Sequence, residues 1–175
     1  MIRFFILFIV ALLPLYGSKY NNTLLQMHAR VLPSIVLMDR QIEEKVPNRV
    51  LKIAIIHKEE DIFDAQNFAK ILLELDSSKI ANFSVEPILL PIGSALPKDL
   101  IAIYMFPNSQ IKTLAKDATK RKIVSFSYQI EGVEEGALAS LIVGKQAVPY
   151  INLETVIKSE IIFNPALLTI SKRFE

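Results

Sequence analysis

The sequence predicts a single α/β domain. Its sheet is mixed and mostly parallel, helices flank both faces, and a C-terminal hairpin with two short helices closes the chain. Three observations lead there. Val50 to Ile56 (VLKIAII) and Leu100 to Phe106 (LIAIYMF) are almost continuously apolar, as expected of strands buried on both faces of a parallel sheet. Segments with a 3.6-residue apolar period alternate with such runs. Near the end, two strand-like runs flank Gly144-Lys145, which reads as a hairpin turn with glycine at positive φ. Right-handed crossovers make the doubly wound, Rossmann-like arrangement the default. A length of 175 residues with 51% hydrophobic side chains suits one domain with its own core.

Lys19 to Glu44 carries apolar residues at Leu24, Leu25, Val31, Leu32, Ile35 and Val36, with His28 on the same stripe, and reads as a helix. Asn21 and Asn22 are candidate N-caps. Pro33 removes one backbone donor and should kink or split the helix, and Pro47-Asn48 ends it. After the first strand, His57 to Asp61 forms a polar loop whose acidic residues favour the start of the next helix. That helix runs to about Leu75 with Ile62, Phe63, Phe68, Ile71 and Leu72 inward. Ser84 to Ile92 is a strand with Pro87 and Pro91, and proline places it at a sheet edge. Leu100 to Phe106 is central, and Pro107-Asn108-Ser109 leads into a helix over Gln110 to Lys120 with a solvated lysine face. Ile123 to Tyr128 is a fourth strand, and Gln129 to Gly136 a solvated loop. Ala137 to Val143 and Gln146 to Ile151 make the hairpin. Asn152 caps a helix through Ser159, and Asn164-Pro165 opens the last one.

Composition excludes several functions. A net charge of +2 gives no strongly basic surface for nucleic acid. No cysteine is present, so there is no disulfide framework and no thiol chemistry. At the N-terminus, Arg3 precedes an unbroken apolar run from Phe4 to Leu13, followed by Pro14 and Gly17-Ser18. This reads as a signal peptide over residues 1–17, cleaved after Gly17, with residues 18–175 forming the mature domain. The run is short for a spanning helix, so no stable membrane insertion is expected after cleavage. Export without cysteine points to a bacterial periplasm.

No catalytic grouping emerges. The two histidines, His28 and His57, are far apart and lack zinc-ligand spacing. Ser125 and Ser127 alternate along a strand without the Gly-x-Ser-x-Gly elbow. Gly132 and Gly136 do not form a dinucleotide fingerprint, and Glu131, Glu134 and Glu135 lack calcium-loop spacing. No cofactor, metal or enzyme activity is expected. Ligands of doubly wound folds bind beyond the carboxyl ends of the strands, and the candidates there are His57, Asn108, Ser109 and Tyr128.

The C-terminal stretch resembles the YfiR-like family of periplasmic regulators. Ile151-Asn152-Leu153 matches the family's Ile-Asn-Leu element. Asn164, Pro165, Leu167, Leu168 and Ser171 occupy the closing leucine-rich segment, and Ile123-Val124-Ser125 fits the preceding strand. The chain departs from the family pattern with Gly136-Ala137 at the hairpin entry and with Asp39-Arg40 where an aromatic residue commonly ends the first helix. The resemblance implies a non-enzymatic periplasmic protein that binds the sensory domain of an inner-membrane signalling enzyme, a diguanylate cyclase or histidine kinase, and represses it. A homodimer is left open. The alternative is a periplasmic small-molecule binding protein using the strand-end crevice.

Overall fold

The computed structural model describes residues 18–76 and 82–174. The leader over residues 1–17, with its cleavage site, lies outside them. Seven strands form one sheet in the order β2-β1-β3-β4-β5-β6-β7. They are β1 (Val50–His57), β2 (Ser84–Pro91), β3 (Ala102–Met105), β4 (Val124–Ser127), β5 (Ala139–Val143), β6 (Ala147–Asn152) and β7 (Lys172–Phe174). β1 to β5 run parallel, β6 turns back antiparallel to β5, and β7 lies parallel to β6. The helices are α1 (Asn22–Val36), α2 (Ile42–Lys45), α3 (Ile62–Asp76), α4 (Ile111–Lys120), α5 (Glu131–Glu134), α6 (Leu153–Ser159) and α7 (Ala166–Ile170). The predicted single α/β domain is therefore present. Among the described residues, no helix is long and apolar enough to cross a membrane.

Alternation along the strands divides the core. Leu51, Ile53 and Ile55 of β1 pack with Ala102, Tyr104 and Phe106 against one face, under α1 and α3. Ala54, Ile56, Ile103 and Met105 face the other side, under α4. Side chains on a strand point alternately to its two faces, so continuous apolar runs are needed where both faces are covered.

β2 is the edge strand that its prolines demand. The N–H groups of Ser84 and Ile92 donate inward, to the carbonyls of Arg49 and His57, each at 2.9 Å. Successive backbone donors of a strand point to opposite sides, so Pro87 and Pro91, of the other parity, fall where the donors face away from the sheet.

Several elements differ from the sequence reading. The first helix splits. α1 holds Pro33 and ends at Val36, and a separate turn, α2, follows. Between them Asp39 is buried. Its carboxylate accepts from Gln41 N–H at 3.0 Å and pairs with Lys45 Nζ at 2.5 Å. Gln129 to Gly136 is not a solvated loop throughout. It contains α5, with Gly132 and Val133 buried. Gly132 lies so close to β4 that a Cβ there would stand 2.1 Å from Ser127 Oγ. Gly144 does not take positive φ; Gly93 and Gly136 do. Phe63 is exposed rather than inward, because Asp61 and Asp64 take the buried positions at the start of α3. β7 was not expected. Its three residues pair with β6 through Tyr150, Ile151 and Asn152.

Candidate functional site

The order β2-β1-β3-β4-β5 is that of doubly wound sheets whose ligands sit at the switch point between β1 and β3. β1 ends at His57, and a 3-10 turn over Glu59–Asp61 leads into α3. β3 leads into Phe106, and β4 into Tyr128. The ladder carries on past the strand ends through Phe106 N–H to Ile56 O at 3.1 Å and Tyr128 N–H to Met105 O at 2.9 Å.

The chain's own residues 18–21 lie across these ends. Ser18 Oγ donates to Asp64 Oδ1 at 2.6 Å, and Lys19 N–H donates to Asp64 Oδ2 at 3.1 Å. Lys19 Nζ reaches Glu60 at 3.0 Å and Asp61 at 3.1 Å. Tyr20 is 9% exposed, with its ring centroid 4.7 Å from that of Phe106 and 4.8 Å from that of Tyr128. Asn21 N–H donates to the Tyr128 hydroxyl at 3.3 Å, while the Asn21 side chain caps α1 through Leu24 N–H. Hydrogen bonds to Glu60 and Asp61 hold the Lys19 ammonium well above its ordinary pKa. Burial, then the Asp61 charge, pushes the Tyr20 hydroxyl up.

Beneath Tyr20 and Tyr128 is a buried aromatic cluster around His28. His28 Nδ1 lies 2.8 Å from the Tyr104 hydroxyl, and its ring meets Phe126 at 5.2 Å and Tyr128 at 5.4 Å between centroids. Burial lowers its pKa to about 3, so the ring is neutral and shares one hydrogen bond with the Tyr104 hydroxyl through Nδ1. His28 Nε2 is buried without a hydrogen-bond partner.

Of the four residues expected at the crevice, Tyr128 alone contacts the segment that fills it. His57 is no polar loop residue. It closes β1, is 3% exposed, and its Nδ1 lies 2.8 Å from Lys58 O. Asn108 serves its own turn, donating to Phe106 O at 2.7 Å and accepting from Gln110 N–H at 2.8 Å. Ser109 is exposed. Ser125 is a core residue that accepts from Leu138 N–H at 2.9 Å. The sequence reading missed Lys19, Tyr20, Asp61 and Asp64. The available signal was a pair of aspartates one helical turn apart, in phase with Phe68 and Leu72 on the apolar face of α3. Elsewhere, a groove of about 480 Å³ runs between α4 and α6, lined by Lys112, Lys116, Lys120 and Lys158 with Glu134, Glu135, Thr155 and Phe174. Among the described residues, no group of three or more His, Asp or Glu side chains could hold a metal ion.

The fold and this site define a doubly wound α/β domain whose switch point is covered by its own N-terminal segment. No family model matches the chain, and no curated protein matches it. Solved structures do. A conserved domain protein from Vibrio cholerae O1 biovar El Tor superposes with a TM-score of 0.57 at 15% identity, over 86% of this chain and 60% of that one. An ABC domain from Streptococcus pneumonia, solved in complex with L-Trp, gives 0.49 at 13% identity, over 79% of this chain and 59% of that one. The chain thus spans about 60% of the length of the Vibrio protein, and the likeness is one of fold.

Proposed function

We propose that this protein is a non-enzymatic periplasmic regulator that binds the sensory domain of an inner-membrane diguanylate cyclase or histidine kinase and holds it inactive. The observation that carries this reading is the covered switch point. Tyr20, packed between Phe106 and Tyr128, stands where a small molecule would enter a fold of this type. With that crevice filled, outer surfaces are the means of engagement. The resemblance through Ile151-Asn152-Leu153 supplies the partner class. Repression then works by population shift, with the regulator binding the inactive sensor better than the active one.

The test uses the exported, mature protein as bait for detergent-solubilised inner membranes, with captured proteins identified by mass spectrometry. Recovery of a cyclase or kinase, with binding reproduced by its purified periplasmic domain, is the expected result. Recovery of no membrane sensor, together with a thermal shift from a metabolite, would overturn the reading in favour of a small-molecule binding protein.

A further inference from the structure

Three carboxylates converge on the N-terminal segment, those of Glu60, Asp61 and Asp64. Two ammonium groups face them: Lys19, shared between Glu60 and Asp61, and Lys58, 3.7 Å from Glu60. Asp61 is fully buried and interacts with the Tyr20 hydroxyl, and among the described residues its Oδ2 has no hydrogen bond of good geometry. Asp64 is buried as well, and its two oxygens are turned to Ser18 Oγ and Lys19 N–H. Among the described residues the cluster therefore has three carboxylates to two ammonium groups, and the buried Asp64 is held by two uncharged donors, Ser18 Oγ and Lys19 N–H. A buried carboxylate without full compensation is costly.

The group best placed to supply a further cation is the nitrogen of Ser18. It is bonded to the Cα beside the hydroxymethyl group that already meets Asp64 at 2.6 Å. Within an uncut chain this nitrogen is a neutral peptide N–H. At a chain terminus it is an ammonium with three donors. We infer that Glu60, Asp61 and Asp64 form a receptor for the chain's own mature amino terminus, the α-ammonium of Ser18 released by hydrolysis of the Gly17–Ser18 bond.

In that step water adds across the peptide bond. Gly17 leaves as a carboxylate with the leader, and Ser18 keeps the nitrogen and takes up the protons. The inference rests on residues 1–17 being a cleaved leader, not on the regulatory role. Its consequence is that processing adds a cation to a pocket that already holds Tyr20 over the switch point. The α-ammonium is then stabilised by its neighbours and titrates above the ordinary α-amino range of about 7.7 to 8.0. The titratable groups of the pocket are Glu60, Asp61, Asp64, Lys19, Lys58 and the Tyr20 hydroxyl.

The full chain is expressed in an exporting bacterium, and the periplasmic product is analysed by N-terminal sequencing and intact mass. Ser18 is expected as the first residue. A different first residue overturns the inference at the cleavage step. The same protein is then treated with an amine-acylating reagent at pH 7, folded and in urea. Labelling of the Ser18 amine is read by tandem mass spectrometry. It should be at least about tenfold slower in the folded chain, the change that one pKa unit makes in the free-amine fraction. Asp64→Asn should recover several-fold of that rate in the folded state. Equal labelling of folded and unfolded wild type, with Ser18 first, overturns the receptor while leaving the leader reading intact. The wild-type comparison stands alone if Asp64→Asn does not fold.

Discussion

His28 offers the sharpest test of the packing beneath the switch point. Its ring meets Tyr104, Phe126 and Tyr128 edge-on, and burial lowers its pKa from 6.5 to about 3. The sign follows from linkage. Below pH 6.5 the unfolded chain takes a proton on this histidine and the folded chain does not, so stability falls as pH falls. The loss attributable to His28 is about 2 kcal/mol between pH 7 and pH 5, rising to roughly 4 kcal/mol by pH 3. The upper part of that window is the useful one, because most carboxylates there are still ionised in both states. The assay is urea denaturation of the wild type and His28→Asn at pH 7, 6 and 5. Asparagine keeps an acceptor near the Nδ1 position for the Tyr104 hydroxyl but does not titrate. The mutant should be destabilised at pH 7 by the smaller side chain, and the gap should narrow by about 2 kcal/mol at pH 5. Parallel curves for the two proteins, or an NMR titration of the His28 ring near pH 6.5 in the folded state, would refute the reasoning.

Gly132→Ala should destabilise by about 1–3 kcal/mol, since the added methyl would stand 2.1 Å from Ser127 Oγ and 2.5 Å from its Cβ. In the Ser127→Gly background the same change should cost far less, and a double-mutant cycle in urea that closes additively would contradict the close approach. Asn152→Ala should cost about 2–4 kcal/mol by thermal melting, more than the roughly 1 kcal/mol of a simple cap. The Asn152 side chain both accepts from Thr155 N–H and donates to Val133 O, each at 2.8 Å and buried. A loss under 1 kcal/mol would show that the second bond contributes nothing. Tyr20→Ala should remove about 3 kcal/mol, and an unchanged urea midpoint would mean that Tyr20 does not cover the strand ends in solution. Burial holds the Tyr20 hydroxyl protonated in the folded chain, so wild-type stability should also fall as pH rises above 10.0, and Tyr20→Phe should weaken that dependence, the remainder coming from the buried Tyr104 hydroxyl and from Lys19.

What could be read from the sequence was what local pattern dictates. The apolar runs of β1 and β3 announce strands buried on both faces. Pro87 and Pro91 announce an edge. Asn21 and Asn152 announce helix starts, because a cap acts on N–H groups only a few residues away. The covering of the switch point was not readable in this way. It depends on Tyr20 meeting Phe106 and Tyr128, and on Ser18 meeting Asp64, contacts far apart in sequence that no periodicity encodes. A histidine at a strand end looks polar in one dimension. His57 became buried only once the β1–β2 ladder had carried on past it to Ile92. β7 escaped notice because Lys172-Arg173-Phe174 is too short to show alternation and is defined by the β6 backbone beside it.

The two prolines of β2 bear on how copies of this protein meet. A strand added to that edge would seek donors at alternate positions of β2, and Pro87 and Pro91 have none to give. A ladder between two molecules through β2 would therefore be interrupted at both prolines, so fibrillar growth from that side is disfavoured by covalent structure rather than by charge. Among the described residues the opposite edge presents Lys172, Arg173 and Phe174, too short a template for a durable seam, with two positive charges to repel its own likeness. Self-association is left, among the described residues, to side-chain packing across helix faces, so such an interface can be tuned by surface substitutions without disturbing the ladder.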